Sequence, residues 1–292
     1  MGKFARSWDL FKQSGRVLMA DKQLMLLPIM SSIACLLVLA TFAVPLILAV
    51  DWSAAFQHTG SGGSRTQFVM QPWYPIVLFA FYFVNFFVIT FFNSALIACA
   101  IRKFNGEPAT LKDGLSVAVS RLPQILAWSA VAATVGMILQ MLQERAGLIG
   151  RFVLGLIGMA WTIATFFVVP VLVVEKVGPF TAIKRSVEIL KKTGGESLIT
   201  NIGIGTVTGV LVLLGIFVLV GGIAISVATQ TIWPGIVVGA LFVVYLLAIS
   251  LISTTMKGIL LAATYQYAAT GTVPNGFDSD ALSQAFKIKG TT

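Results

Sequence analysis

Between Glu196 and Lys257 the chain carries no charged residue. A soluble fold cannot hide such a run, because much of any folded surface stays wet and needs polar cover. Hydrocarbon can. One bilayer crossing takes about 20 apolar residues at about 1.5 Å each, so the run holds two crossings with a short turn near 230–234. Composition agrees: 11% of the 292 residues are charged and 57% apolar, with a mean hydropathy of +0.92. A soluble domain has roughly 25% charged residues. The fold class expected is all-α integral membrane.

Six uncharged runs reach crossing length, at 24–50, 73–101, 122–142, 152–174, 198–228 and 233–256. The fifth exceeds a straight crossing and is expected to tilt or to break at Gly221-Gly222. The first follows a long amphipathic stretch, unlike the short core of a cleaved signal, and is read as retained. Cys35 and Cys99 fall at depths differing by about 10 Å in antiparallel helices, too far for a disulfide.

Lys and Arg set the expected orientation. Seventeen lie in the N-terminus, in the loops after spans two and four, and at the C-terminal end; only Arg65, Arg145 and Arg151 lie opposite. Both termini are therefore expected in the cytoplasm. The net charge of +9 then forms one basic face, suited to anionic headgroups. Nucleic acid is not an expected partner, since no recognition motif accompanies the charge.

Three cytoplasmic segments share one character: Phe4 to Leu18, Leu111 to Leu122, and Gly178 to Gly195. Each is amphipathic, basic and followed by two spans, which reads as three repeats of an interfacial helix plus a transmembrane hairpin. The whole is a single domain, 1–292, with amphipathic cytoplasmic segments at 1–22 and 271–292. In the third segment Phe180, Ile183, Val187 and Leu190 form an apolar stripe at helical spacing. Pro179 suits its first turn, Gly194-Gly195 its stop, and Glu188 precedes Lys192 in ion-pair order. Two turns of helix are expected at 280–287, and a flexible outer loop around Gly60-Ser-Gly-Gly-Ser64.

Three stretches carry a resemblance. They are Ser7-Trp-Asp-Leu with Asp21-Lys-Gln-Leu-Met-Leu-Leu-Pro28, then Pro179-Phe-Thr-Ala-Ile-Lys-Arg-Ser186, then Ala263-Thr-Tyr-Gln-Tyr-Ala-Ala-Thr-Gly-Thr-Val-Pro274 with Gly276-Phe-Asp278. Together they resemble an uncharacterised bacterial family of six-span integral membrane proteins, over nearly the whole chain. The Ala182-Ile-Lys-Arg-Ser186 piece alone is loosely similar to the membrane domain attached to some glycerophosphodiester phosphodiesterases. The resemblance implies a bacterial inner-membrane protein and supplies no catalytic residues.

Enzyme signatures are missing from the sequence. His58, the single histidine, has no Cys or His partner at metal-ligand spacing. Phosphate-cradling and nucleophile-elbow motifs are absent, and the acidic residues are scattered. No catalytic residue, metal or cofactor is expected, and the chain reads as a non-enzyme. The candidate lipid- or partner-binding residues are Lys184, Arg185, Lys191, Lys192, Arg102 and Lys103. The alternative is a channel or passive transporter for a small or amphiphilic solute, with Asn85, Asn93 and Asn201 along the route. Against it, no charge falls in mid-span, and polar span residues ordinarily serve interhelical hydrogen bonds. Gly205-x-x-x-Gly209 and Gly235-x-x-x-Gly239 are expected to bring spans five and six together, or to serve a homo-oligomer.

Overall fold

The structure is a computed structural model and describes residues 3–49, 74–192 and 196–277. Helices follow one another: α1 (Lys3–Ala20), a 3₁₀ turn (Lys22–Met25), α2 (Leu26–Ala49), α3 (Tyr74–Phe104), α4 (Leu111–Ser120), α5 (Leu122–Arg145), α6 (Leu148–Ala164), α7 (Val168–Glu175), α8 (Pro179–Lys192), α9 (Glu196–Thr229) and α10 (Trp233–Thr270). Six helical stretches are long and apolar enough to cross a membrane: Lys22–Pro45, Pro75–Phe104, Leu122–Arg145, Leu148–Glu175, Gly205–Thr229 and Trp233–Thr270. No strand occurs among the described residues. This is a multi-pass membrane fold in which a short helix, α1, α4 or α8, precedes each pair of spans. The outer loop with His58 and Arg65, and the tail helix expected at 280–287, lie outside the described residues.

Burial is lopsided along the spans. The fully buried side chains cluster at one end: Leu96 and Ile97 near the end of α3, Ile125 at the start of α5, Leu172 in α7 and Ile259 in α10. Elsewhere the same helices are bare, with Leu37 64%, Phe217 74% and Leu241 64% exposed. The division follows solvent. Between two helices in hydrocarbon, burying a leucine gains little, because lipid is as apolar as leucine. A segment projecting beyond hydrocarbon faces water instead, and there the hydrophobic effect packs it. The 38 residues of α10 span about 57 Å, against about 30 Å of hydrocarbon. The overhang is its C-terminal third, and that third is buried: Ile259, Leu260, Ala262, Ala263, Tyr265 and Tyr267 all lie in the core.

Two expectations need correcting and a third is narrowed. Span five, expected to tilt or to break, does not break, since α9 runs unbroken from Glu196 to Thr229. Span four does: Thr165 to Phe167 interrupt it between α6 and α7. The amide that the break frees at Phe167 donates to Ser186 Oγ of α8 at 3.0 Å, in a fully buried setting. Span six does not stop near Met256 but continues as helix to Thr270.

Spans five and six do form the expected hairpin. Tyr245 OH donates to the Leu211 carbonyl at 2.7 Å, Thr208 and Ser253 share a hydroxyl contact at 2.7 Å, and the Gly235 amide donates to Ser226 Oγ at 2.6 Å. Of the four glycines expected at the contact, Gly235 is there, since an added Cβ would lie 2.9 Å from Ser226 Oγ, but the other three are not. An added Cβ at Gly205, Gly209 or Gly239 meets nothing within 4 Å, whereas at Gly222 it falls 2.6 Å from Val238 and at Gly215 2.6 Å from Tyr245. Spacing places two glycines on one face; it does not say which face meets a neighbour. Cys35 and Cys99 are both free thiols.

The core end depends on another small residue. At Gly114 of α4 an added Cβ sits 2.4 Å from Cys99 Sγ and 2.7 Å from the Ala95 carbonyl oxygen. That backbone atom cannot swing away, so α4 lies on α3 only because the position lacks a side chain. Gly114→Ala is expected to lower stability by about 1–3 kcal/mol through overpacking, seen as a lower unfolding midpoint in detergent. Gly205→Ala, in open space, should leave the midpoint unchanged or slightly higher.

Candidate functional site

The ionic side chains of the core end form a layer that ties the short helices to the long ones. Arg185 of α8 pairs with Glu175 at the end of α7, Nε to Oε1 3.0 Å, and with Glu188 one turn on at 3.4 Å. Tyr265 of α10 donates its hydroxyl to the same Glu175 Oε1 at 3.0 Å. One carboxylate thus joins three helices. Arg121, at the α4–α5 junction, donates Nε to the Val173 carbonyl at 3.1 Å, covering one of the carbonyls that a helix end leaves open.

A second knot lies at the end of α3. Lys103 pairs with Asp21, which also accepts the Gln23 amide at 2.9 Å and so caps the 3₁₀ turn leading into α2. Arg102 pairs with Glu107 at 3.3 Å and with Asp113 at 3.7 Å. Asp113 completes a capping box with Thr110 at the start of α4. Hydrogen bonds from the Thr110 amide and hydroxyl, with Arg102 nearby, hold its carboxyl below the usual carboxylate value. Gln266 bridges to Asn105 at 2.9 Å, and Phe277 packs edge-on against Phe104, so the chain after α10 folds back onto the end of α3.

Half of the candidate cations thus have structural partners. Arg185, Arg102 and Lys103 are paired within the molecule. Lys184, Lys191 and Lys192 are exposed and have no acidic partner among the described residues. Glu188 takes Arg185 rather than the expected Lys192. The apolar stripe is also rotated from its expected setting. Ala182, Ser186, Ile189 and Leu190 face the core, Ile183 and Val187 are half-buried, and Phe180 is 75% exposed. Positions 180, 184 and 191 share one side at helical spacing, so a bare phenylalanine sits among lysines.

Of the three asparagines, Asn93 lines a groove of about 700 Å³ between α3, α6 and α10, with Thr162, Thr254 and Lys257. The Asn85 side chain donates to the Phe81 carbonyl of its own helix at 2.9 Å. The Asn201 side chain lies outside the described residues. The described residues do not join the three in one lining. Lys257 has helix on both sides in α10 and lines that groove. Among the described residues no cluster of His, Cys, Asp and Glu could hold a metal.

Residues 73–276 match a family of unknown function, DUF6159. The chain belongs to that family. The DUF6159 match takes in α3 through α10 and thus most of the ionic layer. No curated protein and no solved structure matches the chain, so the loose likeness to the phosphodiesterase membrane domain gains no support.

Two consequences of the layer are measurable. Glu175→Ala removes one of the two acidic partners of Arg185 and the hydroxyl acceptor of Tyr265 together. The expected loss is about 1–2 kcal/mol once partial exposure is allowed for; Glu107→Ala, at a more exposed pair, should cost under about 1 kcal/mol. Thermal unfolding of both variants checks the order. For Asp113 the folded carboxyl titrates below the unfolded one, so its contribution is present above about pH 4 and lost as pH falls through its folded value. Melting curves taken on acidification should show a smaller decline in Asp113→Asn than in the native chain.

Proposed function

We propose that this is a non-enzymatic membrane protein whose cation-rich end engages anionic lipid headgroups, with that end in the cytoplasm of a bacterial inner membrane. The observation that supports it is the division of labour among the cations. Arg185, Arg102 and Lys103 fix the short helices in place, while Lys184, Lys191 and Lys192 stand outward beside an uncovered Phe180. An exposed phenylalanine amid lysines suits an interfacial helix, with its ring at the acyl boundary and its ammonium groups among phosphates. Each such cation near an anionic surface contributes about 1 kcal/mol, so the row supplies on the order of 3 kcal/mol of preference.

The full chain, reconstituted into bilayers with spin-labelled phosphatidylglycerol and phosphatidylcholine, gives the relative association of each lipid from its motionally restricted fraction. Lys184→Gln/Lys191→Gln/Lys192→Gln is expected to reduce the phosphatidylglycerol preference at least twofold, and added salt should do the same to the native chain. A preference that neither treatment alters would refute the reading.

A further inference from the structure

A separate groove of about 660 Å³ opens between α1, the 3₁₀ turn and α10. Lys12, Arg16 and Lys22 stand over walls that include Met19, Met25 and Met256. The lining holds no acidic residue, and the neighbouring Asp21 is already paired with Lys103. Among the described residues neither Arg16 nor Lys22 has an acidic partner. Arg16 and Lys22 close together without a counter-charge are unfavourable, so the groove favours an anionic occupant.

The level of the groove says where that anion comes from. Along α10 buried side chains become frequent from Ile252, 41% exposed, to Met256, 3% exposed, and both of these line the groove. That change marks the boundary between hydrocarbon and the packed end. Below it the exposed faces meet acyl chains, and above it stand the cations. Methionine walls adjust their shape readily, having flexible, polarisable side chains, and Met19 is 71% exposed, so the entrance lies at the side of the bundle. A basic pocket between helices at headgroup level is the arrangement that holds anionic phospholipid.

We infer that this groove is a binding site for one anionic phospholipid, its phosphate held by Arg16 and Lys22 with Lys12 adjacent, and an acyl chain laid against Met19, Met25 and Met256. The inference takes its ligand class from the reading of α8 but assigns a different surface. Lipid bound here would tie α1 to α10, which otherwise meet through Gly15 and Met256, where an added Cβ at Gly15 would lie 3.6 Å from the Met256 methyl carbon.

The test uses the full chain in bilayers with phosphatidylglycerol or phosphatidylcholine carrying a photoreactive diazirine in one acyl chain. Cross-links are mapped by mass spectrometry to residues 12–25 and 249–256. The phosphatidylglycerol probe is expected to label these segments at least fivefold more than the phosphatidylcholine probe. Arg16→Gln/Lys22→Gln should remove that excess, and Arg16→Lys/Lys22→Arg should retain it, with all variants eluting as the native chain does. Lys184→Gln/Lys191→Gln/Lys192→Gln should leave labelling at this groove unaltered. Equal labelling by the two probes overturns the site, as does an excess that survives Arg16→Gln/Lys22→Gln or that millimolar inorganic phosphate abolishes. The α8 reading stands or falls separately, on the spin-label preference of its own variant.

Discussion

Apolar side chains gain from contact with one another only where water is the alternative, and this decides where the molecule is packed. Within hydrocarbon the six spans have no such incentive, and their leucines, valines and phenylalanines stay open to lipid. At the end where α3 and α10 overshoot a bilayer's thickness, water returns as the alternative, and most of the large buried side chains among the described residues are found there. The bilayer thus serves as the second half of the core.

The ionic layer belongs to the same end for a related reason. Charges cost least where water or headgroups still reach them, and close enough to the packed core to be held in register. Lys103 with Asp21, Arg102 with Asp113, and Arg185 with Glu175 join residues from different helices. Their energies are modest because each pair keeps some exposure. Their value is positional: they fix α4 and α8 against α3 and α7, and so fix the direction in which the remaining cations point.

Much of this was legible in the sequence, for a physical reason. Crossing a membrane is a demand on composition over a window, and composition is what a sequence displays; the six spans and the three short basic helices follow from it. Facing is different. Gly205 and Gly209 have the spacing of a packing motif, yet Gly215 and Gly222 meet the neighbour, because spacing is internal to a helix and contact is not. The stripe of α8 misled in a similar way. Apolar residues usually mark the inward face, but in α8 the small residues Ala182 and Ser186 are buried against the protein with Ile189 and Leu190, while Phe180 stays bare. Acid–base pairs between residues far apart in the chain, Asp21 with Lys103 above all, have no local signature.

The hydroxyl of Ser186 has a mechanical role. It rides on α8 and holds the backbone amide that the bend in span four frees at Phe167. Lifting α8 would strand that amide in an apolar neighbourhood, so this one hydroxyl ties α8 to the bent span.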